Sequence, residues 1–271
     1  MSALRRSRKT QAPEVATRAP VIGRRALVAS AAVLFPASVV AISGCAGERS
    51  VQVTGGVSAG RAMAYRELAE RGIADVEDLW GSGSVPLPIR LDLPATAAGW
   101  ALATSQQDQT LTYAASTVWR GATGHIVVHP AMWSEVTPEG RSAVIAHEIS
   151  HLVMGNQPHM PWWITEGLAE YTAHRGSDRS LEDIAGSALG RLSANPPPRW
   201  PQRSGSADPW QDYAPAWLAC VYLAQAYDES LLLDLHADVA ADVPLDTALQ
   251  RRSGARSTEV HQSWVAWLRQ L

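Results

Sequence analysis

The sequence predicts an α+β fold, in which a small mixed sheet is followed by a mostly helical C-terminal part. Two observations support this prediction. Apolar and polar residues alternate with period two between residues 87 and 129, and from residue 138 onward apolar residues recur at three- and four-residue spacing. The first pattern is typical of strands and the second of helices that pack on a core. Strands followed by helices along one chain favour the α+β class.

The first half of the folded part contains two predicted helices and three strand-like segments. Helical spacing covers residues 60–80 and, over a shorter stretch, residues 96–104. Residues 87–92 read as a strand, and residues 111–119 and 125–129 alternate like two paired strands. These segments account for the predicted sheet and for the helices beside it.

The helix that starts at residue 138 has clear boundary signals. Thr137 is a capping residue, Pro138 occupies the first helical position, and Gly155 provides a stop. Ile145 and Ile149 are one turn apart and bury one face of the helix. Any functional residue on this helix is therefore expected to sit on a rigid, packed element.

A second helix is predicted from residue 162 to residue 175, where Gly176 ends it. Helical patterns then continue to the C terminus, with residues 194–210 as the main interruption. This segment contains proline, serine and tryptophan, and we interpret it as a solvent-facing connector. The alternative is that it borders a cleft.

The first of these helices carries a metal-binding motif, HEISH, at residues 147–151. Because an α-helix has 3.6 residues per turn, His147 and His151 lie on one face and can reach a single ion. Two imidazoles suit zinc. Glu148 lies about 100° around the helix from His147, close enough to act as a base on a water without binding the metal. A zinc ion held here would activate that water and polarise a peptide carbonyl.

A catalytic zinc site usually has three protein ligands, so a third ligand is needed. Glu166 lies 15 residues after His151, on the second predicted helix, and is our candidate. Glu170 is one turn beyond Glu166 and fits the carboxylate that accepts the other N–H of a ligand histidine. The alternative is that both acids are ordinary surface residues.

The chain resembles the gluzincin metallopeptidases, and among them the short bacterial peptidase MA-like proteins, in HEISH at 147–151 and in PWWITEGLAEY at 161–171. The resemblance implies a zincin-like fold, one zinc ion, Glu166 as third ligand and Glu170 as partner of a ligand histidine. A count of 18 residues from His151, the spacing of the large aminopeptidase relatives, instead reaches Glu170. That assignment stays open as the alternative.

The same resemblance suggests an oxyanion donor and a mode of cleavage. Many gluzincins place a tyrosine hydroxyl near the developing oxyanion, and Tyr213, which precedes an apolar helix, is the candidate here; an ordinary tyrosine at a helix start is the alternative. The chain lacks a Gly-x-Met-x-Asn segment of the aminopeptidase relatives. Residues 124–130 look like the edge strand that pairs with substrate in related folds, which favours an endopeptidase. His125 and His129 on it are interpreted as structural.

The amino terminus predicts export and a lipid anchor. A basic region, the apolar stretch 26–42 and the sequence Ile42-Ser43-Gly44-Cys45 resemble the signal peptide and lipobox of bacterial lipoproteins, in which Cys45 would be acylated. Arg24-Arg25 is a partial twin-arginine match. The expected organisation is a signal peptide over 1–44, a tether over 45–58 and a metallopeptidase domain over 59–271. A retained membrane helix is the alternative to cleavage, and both place the domain outside the cytoplasm.

Charge and cysteine usage agree with this placement. From Cys45 onward the chain has 16 basic and 25 acidic residues, a net charge of −9. Nucleic acid is excluded as an expected partner because phosphate binding needs clustered positive charge. Cys220, in an apolar helical run, is expected to be a buried core residue. A peptide or protein substrate and the membrane are the expected partners. The alternative function is a non-catalytic binding or scaffolding lipoprotein with a peptidase-like fold.

Overall fold

The computed structural model describes residues 50–105, 113–206 and 208–271. The signal peptide over 1–44 and the acylation site Cys45 lie outside the described residues. The strands are β1 (Val51–Gly55), β2 (Ile89–Leu93), β3 (Ala115–Arg120) and β4 (Thr123–Val128). The helices are α1 (Ala59–Trp80), α2 (Ala97–Thr104), α3 (Met132–Glu135), α4 (Pro138–Met154), α5 (Trp162–His174), α6 (Leu181–Ala185), α7 (Ser187–Ala194), α8 (Trp210–Ala226), α9 (Glu229–Ala240), α10 (Leu245–Ser253) and α11 (Ser257–Leu268). The predicted α+β class is confirmed.

The sheet has the strand order β1-β2-β4-β3 and is mixed. β1 pairs with β2 and β2 with β4 in parallel, whereas β3 and β4 form an antiparallel pair. The expectation that the strand at 124–130 is an edge strand is wrong, because β4 has partners on both sides. Among the described strands, β3 occupies that edge of the sheet, and it lies beside α4.

The buried face of the sheet packs against α1 and α4. Ile89, Leu91 and Ile126 of the sheet join Ile145 and Ile149 of α4 in one apolar core. α1 comes close to α4 at Gly72, where an added Cβ would lie 3.0 Å from the Cδ1 atom of Ile149. This packing makes α4 a rigid support, as its apolar spacing predicted.

A second core holds α5 against α8 and the C-terminal helices. The closest approach is at Gly167 of α5, because a Cβ atom there would lie 2.4 Å from the carbonyl oxygen of Ala216 in α8. Only glycine lets the two backbones meet at this distance. The contact fixes the height and rotation of α5, and with it the position of the neighbouring Glu166.

The predicted tether over 45–58 is wrong for its second half. Val51–Gly55 form β1, paired residue by residue with β2, and the Val51 side chain is 1% exposed. Val51 and Val53 are β-branched and favour a strand, but the small and polar residues around them led to the prediction of a tether. Within the residues that the structure describes, no helix combines the length and apolarity needed to cross a membrane.

Candidate metal centre

Helix α4 presents the HEISH residues from a well-defined start and end. The side chain of Thr137 accepts a hydrogen bond from the backbone N–H of Gly140 at 3.1 Å, Pro138 opens the helix, and Gly155 follows it with a φ of +76°. His147 and Glu148 are both buried. The predicted capping and stop signals are thus confirmed.

Three ligand atoms converge at the end of α4. The Nε2 atoms of His147 and His151 are 3.0 Å apart, and the Oε2 atom of Glu166 lies 3.3 Å from the first and 3.4 Å from the second. All three fall within 4.8 Å of one another, so His147, His151 and Glu166 could hold a metal ion. This is the donor set of two imidazoles and one carboxylate that suits a catalytic zinc.

Hydrogen bonding alone does not account for this arrangement. The Oε2 atom of Glu166 is buried, and no group in the described part of the chain reaches it with hydrogen-bond geometry, although both imidazole nitrogens face it. A buried carboxylate oxygen without a partner carries a desolvation cost. A cation bound between the three atoms would remove that cost, so the residues present fit a zinc ion.

The electrostatics of the site also favour a cation. Burial lowers the pKa of His147, but the carboxylates of Glu170, Glu166 and Glu148 outweigh it and raise that pKa well above the ordinary value. The same carboxylates would stabilise a divalent ion, for which protons on the imidazoles must leave.

Glu170 lies on the other side of the His147 ring. Its Oε1 atom is 3.1 Å from Nδ1 of His147, and its Oε2 atom is 3.3 Å from Nε2 of His174. Burial raises the pKa of Glu170, but His147 and His174 lower it by more, to about 2. An ionised Glu170 at this distance stabilises a proton on Nδ1 of His147, which leaves Nε2 free to bind a metal. His174 was not among the predicted site residues, although its position one turn after Glu170 was a signal for it.

Glu148 lines the same cavity as the three candidate ligands. Its side chain is hydrogen-bonded by Thr117 of β3, whose Oγ1 atom lies 2.7 Å from Oε2 of Glu148. Thr117 was not predictable as a partner of Glu148, because 31 residues separate the pair and no local pattern links them.

Tyr213 lies in the first turn of α8 and faces the metal centre. The centroids of its ring and of His147 are 6.0 Å apart, and its ring also contacts Trp162 at 5.5 Å. Burial and the carboxylates of Glu166, Glu148 and Glu170 raise the pKa of Tyr213. The phenol therefore keeps its proton and can donate a hydrogen bond in the cavity.

These residues line one cavity with a volume of about 680 Å³. Ala115, Thr117 and Trp119 of β3 form one wall, and His147, Glu148, Glu166 and Tyr213 face it. The cavity is large enough for several residues of an extended peptide.

The loop between α7 and α8 supplies the opposite rim, so the interpretation of residues 194–210 as a solvent-facing connector is wrong. Arg203, Asp208 and Pro209 line the cavity. Two anchors hold the loop there. Trp200 stacks between Trp163 and Trp264 at centroid distances of 4.7 and 5.6 Å.

The second anchor is the buried carboxylate of Asp212, which accepts hydrogen bonds from the backbone N–H and the hydroxyl of Ser204 at 2.9 and 2.5 Å. Next to this anchor, the guanidinium of Arg203 donates to the hydroxyl of Tyr113 at 3.1 Å. The position of the loop therefore depends on this local contact with α8 and on the stacking of Trp200 against distant helices.

His129 and Cys220, which were also considered in the sequence, are packed in the protein interior. His129 is 3% exposed, contacts the Trp100 ring and accepts a hydrogen bond from the backbone of Ala131. Cys220 is buried in α8 as a free thiol, and burial raises its pKa, which makes a thiolate unfavourable. Neither His125 of β4 nor His129, the residue after that strand, belongs to the cluster that could hold a metal ion.

The fold and the site define a class, an α+β protein in which a buried HEISH helix and a glutamate from the next helix form a cluster that could hold a metal ion beside a cleft. The model of one family, Peptidase family M48, matches residues 89–161, about a quarter of the chain. Peptidases of this family depend on zinc, and the match suggests a zinc metallopeptidase. It includes β2 and all of α4 but ends before Glu166. Comparisons with curated proteins and with solved structures found no significant match.

Proposed function

We propose that this protein is a zinc-dependent metallopeptidase of the gluzincin type that hydrolyses peptide bonds at the outer face of a bacterial membrane. One observation carries the proposal. The ligand atoms of His147, His151 and Glu166 converge within 4.8 Å, and Glu148, which follows the first ligand, lines the same cavity. A site that held zinc only for structure would have no need of that base and would be closed by a fourth ligand.

A bound zinc ion would supply Lewis-acid polarisation of the scissile carbonyl and a lowered pKa for water. Glu148 takes the proton from the attacking water as the new carbon–oxygen bond forms. It then delivers that proton to the leaving nitrogen as the carbon–nitrogen bond breaks. The products are a carboxylic acid and an amine, and Glu148 is regenerated.

Two further side chains assist. Glu170 holds the Nδ1–H of His147 and so fixes the orientation of that ring. Tyr213 donates its hydroxyl proton in a hydrogen bond to the oxygen that becomes negative in the transition state. One such donor contributes on the order of 3 kcal/mol to transition-state stabilisation.

The edge strand β3 supports an endopeptidase. β3 forms a wall of the cavity and has β4 on one side only among the described strands. Its other edge can add the extended backbone of a substrate as a further strand. Such pairing depends on main-chain groups and requires no free terminus of the substrate.

Anchoring through Cys45 belongs to the same proposal. The basic, apolar and lipobox segments at residues 1–45 support it. Expression in a bacterium fed a labelled fatty acid should label the full chain and leave a Cys45→Ser variant unlabelled. Equal labelling of both proteins would contradict acylation at this residue.

The central test measures zinc content and hydrolysis of a mixed peptide library for the full chain and its Glu148→Gln variant. The proposal expects one zinc ion in both proteins and cleavage by the parent alone, since the variant keeps the ligands and loses the base. Zinc in both without cleavage by either would favour the binding or scaffolding function. Absence of zinc from both would overturn the metal centre.

A further inference from the structure

We propose that Thr117 is a positioning residue that holds the carboxylate of Glu148 in the orientation needed for proton transfer. The inference rests on the proposed peptidase function. Thr117 lies on the edge strand β3, and its Oγ1 atom is 2.7 Å from Oε2 of Glu148 and 3.0 Å from the backbone oxygen of the same residue.

A hydroxyl has one proton, so Thr117 can donate to only one of these two oxygens at a time. The carboxylate is the closer acceptor and the charged one, and hydrogen bonds to ionised groups are shorter and stronger. The backbone oxygen of Glu148 is an α4 carbonyl with an acceptor role in the helix. The carboxylate is therefore the main partner of the hydroxyl.

The bond removes a specific freedom of the base. A glutamate side chain has three rotatable bonds, and neither His147 nor His151 restricts their rotation in Glu148. Because Thr117 engages Oε2, the Oε1 atom is left for the reacting water. Proton transfer requires hydrogen-bond distance between the base and that water. A change in the orientation of the carboxylate should therefore alter kcat more than it alters KM.

The position of Thr117 also links the base to substrate binding. Alternation along β3 places Ala115, Thr117 and Trp119 on one face, and all three line the cavity. Under the proposed function, substrate adds to the free edge of this strand. The strand that receives the substrate thus carries the residue that orients the base.

The test compares kcat, KM and zinc content of the full-chain parent with Thr117→Val and Thr117→Ser. Valine keeps the branched shape of threonine and lacks the hydroxyl, whereas serine keeps the hydroxyl. Thr117→Val should lower kcat between about 10- and 100-fold, with little change in KM and one zinc ion retained. Thr117→Ser should recover most of the lost kcat.

Thr123→Val is the matched control, because Thr123 is an exposed residue of β4 in the same sheet and outside the cavity lining. Its kcat should equal that of the parent. If Thr117→Val does not fold, Thr117→Ala and Thr117→Ser repeat the comparison, since they differ only in the hydroxyl.

The outcomes separate this inference from the proposed function. A parent that cleaves, with Thr117→Val matching it in kcat, overturns the inference and leaves the function standing. Equal losses in the valine and serine variants would also overturn it, since the hydroxyl would then be irrelevant. A parent that binds zinc and cleaves no peptide overturns both.

Discussion

At the metal centre, two carboxylates one helical turn apart act on opposite nitrogen atoms of the same imidazole. Glu166 approaches Nε2 of His147, and Glu170 approaches Nδ1. Residue counting from His151 left both acids as possible ligands. The distances favour Glu166, because it alone of the two joins both histidines in the cluster that could hold a metal ion.

The first prediction concerns these two residues. Glu166→Gln should lose stoichiometric zinc, because an amide is a poor zinc ligand. Glu170→Gln should keep the three ligands and bind zinc about 10- to 100-fold more weakly, since only the orientation of His147 suffers. Zinc affinity measured by competition with a chelator checks both values. Retention of zinc by Glu166→Gln together with its loss from Glu170→Gln would assign Glu170 as the ligand.

At the scale of elements, the site depends on where α5 sits. The two histidines follow from the geometry of α4 alone, but Glu166 reaches them only because α5 packs on α8 at Gly167. The boundaries of α4 were predictable from Thr137, Pro138 and Gly155, and those of α5 were predicted to within one residue from its apolar spacing and Gly176. The contact of Gly167 with Ala216 was not, because 49 residues separate them and glycine in a helix has several local explanations.

The second prediction tests this contact. Gly167→Ala should lower the free energy of unfolding by about 1–3 kcal/mol, because the added methyl group must displace the α8 backbone. It should also weaken zinc binding by moving Glu166. Gly190→Ala in α7 is the control, since nothing lies within 4 Å of a Cβ atom there.

In an open helical position alanine should instead raise stability by about 0.5–1 kcal/mol. Chemical denaturation with excess chelator measures folding stability without a contribution from zinc. A Gly167→Ala protein as stable as the parent would show that the helices can separate at little cost.

At the scale of the whole molecule, two cores meet at the metal centre. The core between the sheet, α1 and α4 holds the histidines and Glu148, and the core of α5, α8 and the C-terminal helices holds Glu166, Glu170 and Tyr213. The metal centre thus draws its groups from both cores. The site therefore forms only when both cores are folded. One buried histidine outside the site, His236, makes the free energy of unfolding depend on pH.

The third prediction concerns His236 of α9, which is buried against the Trp80 ring. Burial lowers its pKa in the folded state. As pH falls through about 6.5, the ordinary pKa of histidine, the unfolded chain takes up a proton that the folded state resists. The contribution of His236 to stability is therefore present above that pH and is lost as pH falls toward the folded-state pKa.

His236→Gln should reduce the loss of unfolding free energy between pH 7.5 and pH 5.5, measured by denaturation with chelator present. His159→Gln is the control, because His159 is exposed in the loop between α4 and α5. An identical pH dependence in the parent and in His236→Gln would show that other groups control the acid sensitivity.

The amino-acid sequence was sufficient to predict the α+β class, the two helices of the site and six residues that lie together there, His147, Glu148, His151, Glu166, Glu170 and Tyr213. Spacing along a helix sets which side chains share a face, so these features are local. The folded structure was needed to show that β3 is the edge strand, that Arg203, Asp208 and Pro209 border the cavity, and that Thr117 contacts Glu148. Those features depend on strand order and on packing between distant segments, which one-dimensional spacing does not specify.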